Sequence, residues 1–295
     1  MAYEFELHEP IAGAAQRILG EQVDRATAHL TSNAEPAEKR VHNARKRFKE
    51  IRALLRLVAP SLGGQFVVEN RFFRDVARDL AATRDADAVI ETVAKLRAAG
   101  DTPALKRLER ALRLRRKSVE TADLQASVAN AVAQLPLVMG RVMNWPPIPE
   151  RFSTIGDGLE KIYRQGRDGF ARAAGDPTAE NYHEWRKRVK DHWYHVQLLR
   201  RVWPPMMKAW EGVLEQLSAT LGDHHDLDVL RALIPDVATE TDRAAIIEII
   251  DVRRLVIEQL ANDFGTRLYS ETPAAWRARM RSWWKAWRNE SPSTS

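Results

Sequence analysis

His42-Asn43-Ala44-Arg45-Lys46-Arg47-Phe48-Lys49-Glu50-Ile51-Arg52-Ala53-Leu54-Leu55-Arg56 carries two patterns at once. Ala44, Phe48, Ile51 and Leu55, continued by Val58, recur at helical spacing and mark a face that packs on a core. His42, Arg45, Lys49, Arg52 and Arg56 occupy the adjoining flank within an arc of about 80°, and all five are cationic or protonatable. The stretch returns at His183-Glu184-Trp185-Arg186-Lys187-Arg188-Val189-Lys190, a constant 141 positions further on. The same offset sets Glu50 against Asp191, Val58 against Leu199, Asp85 against Asp226 and Asp87 against Asp228. A match of this length, at a period longer than solenoid repeats, argues for a duplicated unit of about half the chain. The second stripe runs His183, Arg186, Lys190, Trp193 and Gln197 with Tyr194 beside it, and is weaker at its far end.

Working outward, the chain reads as all-α. Ala, Leu, Arg and Glu dominate, strand-like alternation is absent, and apolar residues recur at three and four. Helices are predicted over 9–31, 37–59, 65–83, 86–99, 102–134, 154–174, 178–202, 205–222, 227–235, 238–265 and 273–289. The joins carry Pro36, Pro60 with Gly63-Gly64, Gly100 with Pro103, Pro177, Pro204-Pro205, Pro235 and Pro273. Asn144-Trp145-Pro146-Pro147-Ile148-Pro149 is the strongest interruption, because prolines this dense cannot continue a helix. We therefore expect an N-terminal bundle over 1–143, a Pro-rich linker over 144–150 and a C-terminal bundle over 151–295, each large enough to bury its own core. Of Trp276, Trp283, Trp284 and Trp287 near the end, several should anchor the last helix rather than stack on a ligand.

Composition bounds the function. There are 46 Lys+Arg against 40 Asp+Glu, a net charge of +6, which favours polyanionic partners. With no cysteine, disulfide scaffolds, thiolate metal sites and cysteine nucleophiles are excluded together. The acidic start MAYEFELHEP has no signal-peptide pattern, and no apolar stretch approaches the ~20 residues of a membrane span. A cytoplasmic protein is expected.

Residues 39–56 hold Lys39, Arg40, Arg45, Lys46, Arg47, Lys49, Arg52 and Arg56 against the single acid Glu50. A merely solvated face would intersperse both signs, whereas stacked like charges destabilise an isolated helix and call for an anion. Arginine offers a planar fork that suits phosphate, and lysine a mobile point charge. Laid along about 20 Å of helix, the row suits an extended phosphate chain better than one compact anion. His42 and His183 begin the stripes, as ligand contacts, as holders of the helix start, or as both.

At these residues the chain resembles the CHAD family, the conserved-histidine α-helical domain. The resemblance is carried by His42-x-x-Arg45-Lys46-x-x-Lys49-x-x-Arg52 and His183-x-x-Arg186-Lys187-x-x-Lys190 with Tyr194, by Arg84-Asp85-x-Asp87 and Leu221-Gly222-Asp223-x-x-Asp226, and by Tyr163-Arg164-x-Gly166-Arg167, over residues 10–290. It implies one domain of two four-helix-type bundles related by a pseudo-twofold repeat, with a basic groove between them. It implies binding of inorganic polyphosphate, no catalysis, no metal and no cofactor. The residues expected to line the groove are His42, Arg45, Lys46, Lys49, Arg52, Arg56, His183, Arg186, Lys187, Lys190, Tyr194, Arg164 and Arg167. Expected partners are polyphosphate and polyphosphate-associated proteins, with no membrane, and location at polyphosphate granules follows. No triphosphate-tunnel domain is recognised ahead of the helices, so no activity borrowed from one is expected. Trp193 stands where an arginine is common before the tyrosine, and His225 where the first repeat has Arg84, so the first repeat should contribute more affinity.

Two alternatives remain. A metal-dependent phosphohydrolase would use His183, His225 and Asp226, near His224 and Asp228. Against it, Arg84 at the position of His225 would repel a metal, and Asp85 and Asp226 read as helix N-caps with Asp87 and Asp228 in the first turn. A nonspecific nucleic-acid binder would use the same cations, but the aromatics lie mostly on core faces and no helix-turn-helix or RNA-recognition signature is present.

Overall fold

The computed structural model describes residues 3–80, 85–116 and 122–290, with backbone alone at 85–87, 116, 122 and 123. Among them twelve α-helices follow one another: α1 Ile11–Thr31, α2 Ala37–Leu62, α3 Gly64–Asp79, α4 Asp85–Ala99, α5 Pro103–Arg116, α6 Ala122–Gln134, α7 Leu137–Val142, α8 Ser153–Gly175, α9 Ala179–Leu198, α10 Pro204–Val237, α11 Glu240–Leu268 and α12 Pro273–Arg288. A 3-10 turn, Arg200–Val202, joins α9 to α10. No strand occurs among the described residues, and none of their helices is long and apolar enough to cross a membrane. The protein is all-α, as its sequence pattern predicts.

Helix faces follow the 3.6-residue period. On α2, Ala44, Phe48, Ile51, Leu55 and Val58 are wholly buried, and the charged flank turns away from them. Trp276, Trp284 and Trp287 fasten α12 to the core, while Trp283 meets Trp203 edge-on at 4.8 Å. Residues 144–150 form no helix, and Glu150 accepts a 2.6 Å hydrogen bond from the Ile11 N–H at the start of α1. That carboxylate also pairs with Arg288, so the linker ties the first and last helices together.

The buried residues do not divide at this linker, in contrast to the expected core for each half. One apolar cluster combines α1, α2 and α3 with α8, α9, α12 and the first half of α10. The other joins α4 and α5 to the second half of α10 and to α11. The halves interlock because they meet at a glycine: a Cβ on Gly158 of α8 would lie 2.2 Å from the Leu57 carbonyl oxygen of α2. Alongside, His195 of α9 donates from Nε2 to the Ala53 carbonyl of α2 at 2.9 Å.

Several helix boundaries differ from expectation. Residues 205–222 and 227–235 belong to one continuous helix, α10, so Asp226 is not an N-cap and Asp228 is not in a first turn. A mid-helix glycine costs only about 1 kcal/mol, and burial of Leu214, Leu217, Leu221, Leu227, Leu230 and Ile234 in two cores outweighs Gly222. Asp228 instead lies with its carboxylate 3.1 Å from His224 Nδ1. Pro60 and Pro235 lie inside helix ends rather than beyond them. The short α7 was not anticipated. The expected helices over 65–83 and 102–134 run in part outside the described residues, as do Arg84 and the cap roles of Asp85 and Asp87.

Candidate anion-binding site

Burial of one face of α2 and one face of α9 presents the two charged flanks towards each other. On α9 the buried residues include Tyr182, Trp185, Val189, His192 and Val196, and Arg186, Lys190 and Trp193 lie on the flank. Two adjoining cavities lie along the crossing. The smaller, about 150 Å³, is lined by Lys49, Arg52, Arg56, Arg186, Lys187, Arg188, Lys190, Asp191 and Tyr194. Seven of these nine side chains are cationic and one is a carboxylate. The larger, about 490 Å³, shares Lys49, Arg186 and Lys190 and adds Arg45, Lys95, Trp193, His225, Ser218 and the acids Glu91, Glu215, Asp223 and Asp226.

The arginines are held by partners behind the stripes. Arg56 reaches across to Asp191 at 3.1 Å, and Arg188 meets the other oxygen of that carboxylate at 3.2 Å. At the equivalent place in the first stripe, Arg47 turns inward to Glu50 at 2.7 Å and to Gln22 at 3.2 Å. Arg52 donates from Nε to Asn70 at 3.1 Å. Lys187 pairs with Glu184, and Lys95 of α4 with Asp223 of α10 at 2.9 Å.

These positions strain the cations electrostatically. Burial, reinforced by Arg56, pulls the Arg52 guanidinium down to about 10, and burial lowers Arg56 too despite Asp191. Both remain charged at neutral pH, but in a place that disfavours their charge, which a bound anion would relieve. Burial likewise raises the Glu50 carboxyl against the pull of Arg47 and Lys46. His183 is lowered by burial, then by His225, Lys187 and Arg186, so it is neutral at pH 7.

The expected site residues thus fall into three groups. Arg45, Lys49, Arg52, Arg56, Arg186, Lys187, Lys190 and Tyr194 line the two cavities. Tyr194 does so from a buried position, its ring edge-on to Tyr3 at 6.3 Å. His42, Lys46 and His183 lie on the same two helices but line neither cavity; His42 is exposed, and His183 packs its ring 4.5 Å from that of His225. Arg164 and Arg167 lie on the exposed side of α8, Arg164 paired with Glu160, and do not join the others.

Arg188, Asp191, Lys95 and Trp193 also line the cavities. Arg188 and Asp191 were legible as copies of Arg47 and Glu50, whereas Lys95 belongs to no stripe and is brought in by packing of α4 on α10. His183 and His225 are adjacent, yet among the described residues no three His, Asp or Glu side chains are placed to hold a metal ion. A further cavity of about 400 Å³ between α3 and α6, with Arg71 as its one cation, lies apart from the stripes.

Comparison with known proteins adds the following. A family model described as "CHAD domain" matches residues 17–235. The crystal structure of the CHAD domain from the plant Ricinus communis aligns with a TM-score of 0.57 over 96% of this chain and 95% of that one, at 18% identity, a likeness of fold. Among curated proteins none matches.

Proposed function

The chain belongs to the CHAD domain family, and from that premise we propose that it binds inorganic polyphosphate along the α2 and α9 flanks and carries out no reaction of its own. The observation that carries this reading is the smaller cavity, where seven cationic side chains surround one carboxylate at the crossing of two helices. Lys49, Arg186 and Lys190 open into both cavities, so a phosphate chain lying in the smaller one keeps cationic contact up to the mouth of the larger. Each charge-assisted hydrogen bond contributes about 1.5–3 kcal/mol before desolvation is subtracted. Arg56 and Arg188 are already held by Asp191, so little side-chain freedom remains to be lost on binding. His42, Lys46 and His183 act at the margins of this surface. On this reading the protein works in the cytoplasm, at polyphosphate granules and beside the proteins that collect there.

The test reverses charge on both flanks. Arg45→Glu combined with Arg186→Glu abolishes polyphosphate binding while circular dichroism shows unchanged helical content. Retained affinity in that double variant would remove the stripes from consideration as the site.

A further inference from the structure

The two adjoining cavities differ in what their walls can recognise. Around the larger one, Arg45, Lys49, Lys95, Arg186 and Lys190 face four carboxylates from α4 and α10, and Lys95 is already bound to Asp223 and Glu91. A purely anionic ligand filling this space meets nearly as much repulsion as attraction. Trp193 completes the wall: half-buried, with one face stacked on Tyr194 at 5.4 Å and, among the described residues, no hydrogen-bond partner for its indole N–H. The volume, about 490 Å³, lies within the range of roughly 300–1,000 Å³ typical of small-molecule sites.

An indole beside carboxylates and the Ser218 hydroxyl suits an uncharged aromatic group rich in hydrogen-bond donors. The cation cluster next door suits phosphate. We propose that the groove takes a nucleoside polyphosphate, with its phosphates on the shared cations and in the smaller cavity and its base and ribose in the larger one. The base stacks against Trp193, and its exocyclic amino group and the ribose hydroxyls donate to the carboxylates. The inference rests on the phosphate reading of the stripes and adds the chemical class of the end group.

The test compares ATP with inorganic tripolyphosphate by calorimetry in EDTA at one salt concentration, so that no divalent ion bridges carboxylate and phosphate. Long-chain polyphosphate is the third ligand, and the proteins are the wild type, Trp193→Ala and Trp193→Phe. Charge alone does not favour ATP over tripolyphosphate. We expect ATP to bind about tenfold tighter, the scale of one base–aromatic stack. Trp193→Ala removes that advantage and Trp193→Phe largely keeps it, while tripolyphosphate affinity changes less than twofold in either. Equal affinities in the wild type, or equal weakening of both ligands in Trp193→Ala, would overturn the proposal even if long-chain polyphosphate binds. Trp193-dependent ATP binding without any binding of long-chain polyphosphate would instead overturn the polyphosphate reading and leave this one standing.

Discussion

His192 and His195 are buried on α9 behind the cationic flank, in surroundings that hold them neutral. Burial, reinforced by His195, lowers His192 to about 3, and burial lowers His195 to about 4 against the Ala53 hydrogen bond and Asp191, from an ordinary 6.5. The unfolded chain therefore binds more protons than the folded one between those values and 6.5. The stability tied to these rings is complete above about pH 6.5 and is lost as the pH falls towards the folded values. At pH 5 the loss is about 2 kcal/mol per ring. His192 meets Tyr163 and Trp276 edge-on, and neither of its ring nitrogens has a hydrogen-bond partner among the described residues, so phenylalanine can take its place. Thermal melts from pH 7 to pH 5 should show a shallower decline of Tm in His192→Phe than in the wild type. A wild-type Tm independent of pH over that range would refute the assignment. Residue scale is also where the sequence was read most fully. Arg47 and Arg188 share one offset with Glu50 and Asp191, and in both stripes the arginine three positions before the acid binds it.

Among elements, the contact of α8 with α2 is the least forgiving. Because a Cβ at Gly158 would meet backbone rather than a movable side chain, Gly158→Ala must push the two helices apart. Overpacking of this kind costs about 1–3 kcal/mol, to be read as a lower urea midpoint at unchanged slope. Since α2 carries one wall of the site, the same variant should weaken polyphosphate binding; wild-type stability and affinity together would show that the contact is not tight. Helices α2 and α9 were legible because both their packed face and their charged flank repeat at helical spacing. The continuity of α10 was not, since Gly222-Asp223 and Asp226 read locally as a stop and a new cap. Only burial in two cores, which is non-local, decides for one helix. Arg164 and Arg167 fall outside the site for a comparable reason. Ile162, Tyr163, Gly166 and Gly169 turn the buried side of α8 inward, and the arginines between them face away.

At the scale of the whole molecule, the cationic flanks come together because the two halves of the chain interlock. The shared apolar cluster of α1–α3 with α8, α9 and α12 fixes α2 beside α9, and the cavities open where their flanks cross. A surface built this way presents preorganised cations, and displacement of counterions makes binding fall steeply with salt, by analogy with nucleic acids. The family and the all-α class could be expected from the quoted motifs. The interleaving of cores could not, because prolines at 146–149 mark a break in helix without saying which helices meet across it. The most direct test of the account titrates labelled long-chain polyphosphate with the purified protein at two salt concentrations, then displaces it with single-stranded RNA, duplex DNA, triphosphate or phosphate. The account predicts tight, salt-sensitive binding that RNA, DNA and phosphate fail to displace at matched phosphate concentration. Equal displacement by nucleic acid, or no binding at low salt, would contradict it.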